Sequence, residues 1–406
     1  MKMSKIELKF VSFVQNNLET IFAVIATVVG IFERYFPRQW ISADADHYLL
    51  PWFSEISNNG GIYGLGKQVG DYNIAYQEVI AFMTHIPFDN ALYLYKMFSA
   101  LFDLGLAVAA GLLVYYISAD NKKKRNGILA YAVVFCLPTV FLNSCAWAQC
   151  DSIYTFFCIL CLLFFIQGKE TAGLILFGCA FAFKLQAVFL LPFLLFFWFC
   201  TKKFSILSFI WVPITVFVID IPAFLMGRSL TDIVSVYGGQ VNGSGEIFCN
   251  YPSFWSIFTN VELDWLGKYL TGSAISLSLI VLVAFFIECL HRIETRLEME
   301  SFQWIQIAFI SIYTVVIFMP SMHERYGFLY EILAVILAVL DAKLIIPAIG
   351  LELMSLMTYG AFLVNTEINL PILGWINIGI YLFYIYHFFF ISLRKRVKPK
   401  DCVKAE

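Results

Sequence analysis

Apolar runs of about 17 to 22 residues recur along this chain, separated by short charged punctuation, and a run of about 20 is what a helix needs to cross bilayer hydrocarbon. Such runs are membrane spans, not core helices. Composition agrees: 60% of the 406 residues are hydrophobic and 14% charged, against roughly 45 to 50% and 25% in a soluble domain. An ordinary water-soluble fold is excluded. A net charge of -2 offers no nucleic-acid surface, and the basic residues cluster at the ends of the runs.

The expected fold is an all-α polytopic transmembrane bundle of about twelve spans, with a range of ten to thirteen, in one integral membrane domain. The spans fall at about residues 19–37, 91–117, 127–143, 152–168, 171–185, 187–200, 204–224, 272–291, 303–319, 327–342, 344–363 and 374–393. With the N-terminus inside, 19 of the 27 basic residues lie in cytoplasmic connections, including Lys122 to Arg125, Lys202, Lys203 and a basic tail over 394–406. The positive-inside rule selects that orientation. The basic start, Met1 to Phe10, is not followed by a small-residue cleavage site, so the first run is expected to remain as an anchor. Two spans share residues 171–200 and must be short, or form a hairpin around Phe183-Lys184-Leu185-Gln186.

In this topology the two longest connections, 38–90 and 225–271, are both extracytoplasmic, and loops that long are usually functional or disordered. The first is rich in aromatic and apolar residues, which suits helices lying along the interface. The second carries Tyr237-Gly238-Gly239-Gln240 and Asn242-Gly243-Ser244-Gly245 without the GK[ST] ending of a phosphate loop, so its glycines read as flexible turns, with a substrate-responsive lid as an option. No internal repeat or low-complexity tract is evident. Ten cysteines form neither a disulfide framework nor a zinc pattern; Cys158 and Cys161 sit inside an apolar helix and read as packing, while pairing of Cys145 with Cys150 is open.

Three polar clusters interrupt this apolar text at the outer ends of spans. Asp44-Ala45-Asp46-His47 follows the first run; it reads either as a solvated loop start or as a general base, since a carboxylate at the water–lipid boundary can take a proton from a hydroxyl. Cys145-Ala146-Trp147-Ala148-Gln149-Cys150-Asp151-Ser152 makes up the next outer connection, where Asp151 or Ser152 would cap a helix without excluding a functional role. Met322-His323-Glu324-Arg325-Tyr326 is the third. It is no HExxH zinc motif, because Gly327 stands where the second histidine belongs. An imidazole and a guanidinium do suit a phosphate. Lys184 would add a further cation or snorkel to the interface. Asp103 and Asp220, within or near spans, keep an ion-coupled transporter in play.

In their order, Ser42-Ala43-Asp44, Tyr48-Leu49-Leu50-Pro51-Trp52, Asp71-Tyr72-Asn73 with Tyr76, Trp147-Ala148-Gln149-Cys150-Asp151-Ser152, Phe183-Lys184-Leu185-Gln186 and His323-Glu324-Arg325-Tyr326 resemble the GT-C superfamily of membrane glycosyltransferases. The similarity is greatest to bacterial relatives of the GPI-anchor mannosyltransferases and runs from residue 42 to 326. The resemblance implies an inverting transferase that moves a sugar from a polyprenyl-phosphate carrier to an acceptor hydroxyl outside the cytoplasm. It maps the catalytic acid of the first outer loop onto Asp44, with Asp46 beside it, and a second acidic position onto Asp151. His323 and Arg325, with Lys184, are implied at the donor phosphate, and Tyr76, Trp147, Gln149, Glu324 and Tyr326 at the substrates. One departure is that Asn73-Ile74-Ala75-Tyr76 stands where the family has a proline-containing stretch, which bears on acceptor or sugar identity rather than reaction class.

The expectation is therefore a hexosyltransferase, mannose being suggested by the family name alone, in a bacterial cytoplasmic membrane. Its partners would be a polyprenyl-phosphate sugar, a glycan or glycolipid acceptor and membrane lipid, with no nucleic acid, and the chain would act as a monomer. No cofactor is assigned, although a divalent metal near Asp44 and Asp151 is not ruled out by the residues. The rivals are a flippase or transporter of lipid-linked sugars, which would move intact substrate, and a polysaccharide polymerase or ligase, which would use a pyrophosphate-linked donor.

Overall fold

The computed structural model describes residues 3–241, 247–259, 267–293 and 299–393; the basic tail over 394–406 and the Asn242–Gly245 stretch lie outside the described residues. The chain is almost entirely helical. Six helical segments are long and apolar enough to cross a membrane: Leu18–Gln39, Ala91–Ile117, Tyr269–Arg292, Ser301–Phe318, Ala342–Val364 and Leu370–Ser392. A bent pair, Lys123–Phe135 and Pro138–Ala146, would add a seventh if it counts as one span; its halves meet at 45° because Pro138 cannot continue the preceding hydrogen-bond ladder. The remaining expected spans appear as shorter apolar helices, Asp151–Ile166, Glu170–Phe183, Leu185–Thr201, Ile206–Ile219 and Phe328–Leu340. At 1.5 Å per residue these reach roughly 20 to 26 Å, short of the ~30 Å hydrocarbon layer. Twelve full-length spans are thus not present among the described residues.

Packing is antiparallel and close. A Cβ on Gly111 would meet the Gly127 carbonyl at 2.8 Å, so helix Ala91–Ile117 and helix Lys123–Phe135 touch backbone to backbone, as small residues allow in lipid. One buried ionic centre ties the first crossing to this pair. Arg34 donates from Nε to Asp103 Oδ2 at 3.0 Å and lies 2.9 Å away through Nη2, while Ser144 and Ser152 donate to the same carboxylate. Asp103 has no exposed surface. Asp220 is also buried, and among the described residues neither of its carboxylate oxygens has a hydrogen-bond partner.

The 38–90 connection is ordered as a helical stretch that includes a π-turn at Ala45–Leu49 followed by Leu50–Asn58, a 3-10 turn at Gly61–Gly66 and a helix at Ile74–Met83, sharing a second core around Leu49, Ile56, Tyr76 and Tyr95. In the second long connection, Gly238 and Gly239 belong to helix Leu230–Val241, correcting the reading of flexible turns. Tertiary contacts override the roughly 1 kcal/mol penalty of a helical glycine: Tyr237 stacks on Phe181 at 5.0 Å, and Gln240 donates to the Asp71 carbonyl and to Asn73 Oδ1. The all-α expectation misses a two-residue parallel ladder, Phe248–Cys249 beside Met322–His323. Cys145 and Cys150 are both free thiols.

Candidate functional site

Asp44 lies at the start of the helical stretch that follows Leu18–Gln39. Ser42 sets its position, accepting the Ala45 N–H at 3.1 Å and donating to the Trp147 carbonyl at 2.7 Å. Across that link, Trp147 Nε1 and Gln149 Nε2 both donate to Asp44 Oδ2, at 2.8 and 2.7 Å. Residues two positions apart aim at a single oxygen because Ala148 between them holds φ +64°, a left-handed turn that costs a non-glycine residue of order 1 kcal/mol and is retained where surrounding contacts enforce it. π-turns at Ala45–Leu49 and Leu142–Ala146 flank this contact, and such turns mark functional sites frequently. Arg325 Nη1 is the third donor to Oδ2, at 3.1 Å. Oδ1 has no hydrogen bond among the described residues and faces partly open space, Asp44 being 19% exposed.

Arg325 also joins the second carboxylate, its Nε lying 3.6 Å from Asp151 Oδ2 while its guanidinium stands 5.3 Å from the Trp147 ring centre. The capping reading of Asp151 and Ser152 is corrected here: the cap residue is Cys150, no side chain caps, and Ser152 is spent on Asp103. Asp151 instead accepts from Asn143 Nδ2 at 2.8 Å on one oxygen and from Lys184 on the other. Snorkelling of Lys184 is corrected too. It is buried, in extended conformation between helix Glu170–Phe183 and the turn Leu185–Leu190, because its charge finds Asp151 inside. Burial works against the charge of Arg325, but the carboxylates of Asp151 and Asp44 outweigh it and hold its pKa above the ordinary value.

Around this four-charge centre the remaining candidates divide. Gln149 receives the Tyr72 hydroxyl on Oε1 at 2.7 Å, and burial keeps that phenol protonated as a donor. Glu324 accepts from Asn250 Nδ2 at 3.1 Å and so ties the second long connection to the Arg325 segment. His323 lies in the short ladder, 3.8 Å from Glu324 and 5.2 Å from the Tyr326 ring. Tyr76 is fully buried beneath Tyr72, its hydroxyl without a partner, which makes it part of the wall. Asp46 is exposed and joins neither carboxylate; the π-turn directs it away from Asp44.

Sequence reasoning missed Asn143 and Tyr72 as site members. Asp71-Tyr72-Asn73 carried a signal for the second, whereas Asn143 sits in an apolar run that looks like ordinary span. Among the described residues no group of three or more His, Cys, Asp or Glu side chains could hold a metal ion. The two carboxylates are bridged by a guanidinium, so a divalent metal does not fit between them. No protein-family model matches the chain, and no match to a curated protein is found.

Proposed function

We propose that the chain is a GT-C-like inverting glycosyltransferase that moves a hexose from a polyprenyl-phosphate donor to an acceptor hydroxyl on the extracytoplasmic side of a bacterial cytoplasmic membrane. The observation that carries this reading is the juxtaposition of Asp44, one carboxylate oxygen open, with Arg325 and Lys184, the two cations gathered on Asp151. In the reaction Asp44 Oδ1 takes the acceptor's proton as its oxygen attacks the anomeric carbon, and the sugar–phosphate bond breaks on the opposite face. Inversion follows from a single displacement.

Charge balances through the step. Two cations and two carboxylates sum to zero, and the donor phosphate diester brings one negative charge. The departing monophosphate carries one more, which the proton now on Asp44 offsets. Arg325 and Lys184 stabilise that growing charge where water is scarce. An apolar cavity of about 230 Å³, lined by Phe177, Phe181, Val188, Leu191, Phe209 and Val212, flanks Lys184 in sequence on both sides and supports a polyprenyl chain entering from lipid. The up-and-down chain order with about twelve traverses, several of them short, remains part of this reading, as does an inside N-terminus.

The rival of an ion-coupled transporter draws on two acids inside apolar helices, the buried Glu331 of Phe328–Leu340 and the half-buried Glu352 of Ile345–Val364. Incubating purified protein with radiolabelled polyprenyl-phosphate hexose and candidate acceptors separates the readings. The transferase yields a new glycosidic bond and lipid monophosphate by mass spectrometry; release of lipid pyrophosphate points to a polymerase or ligase, and movement of intact donor across vesicles to a flippase. If Asp44→Asn folds and transfers sugar at the wild-type rate, the base assignment is wrong.

A further inference from the structure

An aromatic ladder leads from solvent to this centre and takes no part in the chemistry above. Asp44, Tyr48 and Trp52 recur every four residues along one helical stretch, a spacing that gathers side chains on one side. Tyr48 is 53% exposed, its ring 5.9 Å from Trp52, and Trp52 stands 5.1 Å from Tyr72. The Tyr72 hydroxyl reaches Gln149, which holds Asp44, and its ring centre is 6.0 Å from Lys184 Nζ. Trp52 is seated by Gly70, where a Cβ would come within 2.2 Å of the indole and φ is +67°. A glycine there lets the indole lie against bare backbone. The ladder is bordered by the exposed polar side chains of Gln68 and Asp71, with Gln68 donating to the Gly70 and Tyr72 carbonyls.

Lipid-facing aromatic belts do not need exposed carboxylates beside them, since charge at a lipid contact is costly. Flat apolar faces with a polar rim match instead a pyranose, whose ring C–H groups form an apolar face edged by hydroxyls. We propose that Tyr48, Trp52 and Tyr72 form an acceptor subsite on which a sugar ring stacks, so that the acceptor is a glycan whose terminal hydroxyl is delivered to Asp44. This rests on the transferase reading and extends it by placing the acceptor subsite and choosing a glycan over a bare lipid acceptor.

The test uses the full-length protein in detergent with mannose, glucose and galactose trisaccharides as probes, read by saturation-transfer NMR for binding and by donor transfer for turnover. The wild type is expected to saturate the ring C–H protons of at least one trisaccharide. Trp52→Ala and Gly70→Ala should weaken that binding about tenfold or more, with Trp52→Phe retaining most of it. Unchanged binding in both Trp52→Ala and Gly70→Ala, or no binding of any trisaccharide to the wild type, overturns the subsite. Asp44→Asn keeps the outcomes apart: it should bind the sugar and fail to transfer it, whereas wild-type transfer by that variant sinks the base assignment and leaves the binding result standing.

Discussion

Two carboxylate–arginine centres lie close together in this bundle, and they are built differently. Asp103 has no exposed surface and receives Arg34, Ser144 and Ser152 on its two oxygens. Asp44 is partly exposed and receives all three of its donors, Trp147, Gln149 and Arg325, on one oxygen. The first centre is closed on every side and can only hold helices together. The second keeps one oxygen unengaged at the mouth of the bundle, and its cations are shared with a second acid, Asp151. Neighbouring positions feed the two: Asn143 and Asp151 serve the outer centre, Ser144 and Ser152 the inner. Placement of the donors, not residue type, separates a closed ion pair from the one proposed to react.

That contrast breaks most readily at Asp44. Asp44→Asn should lower transfer by about 10²- to 10⁴-fold, the range of a lost general base, with thermal unfolding close to wild type; a large drop in Tm with normal activity per folded molecule would reverse the roles assigned to the two centres. Asp103→Asn should do the opposite, leaving Arg34 buried without its counter-ion at a cost of about 3 to 5 kcal/mol. Its signature is loss of stability in detergent, with turnover per folded protein preserved. A smaller effect is expected from Arg325→Lys, which keeps the charge but loses the fork that spans Asp44 and Asp151. Transfer should fall about 10- to 100-fold, as expected for losing a hydrogen bond to a charged group, and wild-type kinetics would show that the bridge is dispensable.

Glu78 sharpens the comparison as an intermediate case, a half-buried carboxylate with a single donor, the Ala223 N–H at 3.2 Å. Burial pushes its pKa up to about 8, with Asp220 adding to the rise and the Ala223 N–H and Arg228 opposing it. The folded chain therefore keeps a proton that the unfolded chain loses near the ordinary glutamate value of 4.5. Its contribution to stability is full below that value and is lost as pH rises through about 8. Tm measured from about pH 5 to 9 should decline less steeply in Glu78→Gln than in wild type; superimposable slopes would show that Glu78 does not titrate there.

Much of the site was legible because polar residues are conspicuous in apolar text. Asp44, Asp151, Lys184 and Arg325 stood out as charges at the ends of runs, and the structure gathers all four. The roles of their neighbours were less visible. Trp147 and Gln149 read as substrate contacts, yet both are buried and hold Asp44 in place. A cap was expected of Asp151 because the local pattern S/D before an apolar run favours one, but a buried lysine 33 residues away competes better than a backbone N–H. Local pattern cannot weigh such a partner.

Hydropathy alone determined that this chain is helical and built for lipid, because a backbone in hydrocarbon must satisfy its own hydrogen bonds. The residue types at the run ends also determined which charges were available for chemistry. Only the tertiary structure decided that several of the apolar helices are short or bent, and that Ala148 turns through the left-handed region to bring two donors onto one oxygen. It alone placed Arg325 between carboxylates contributed by positions 281 and 174 residues earlier. These features depend on contacts across the bundle, which sequence spacing does not encode.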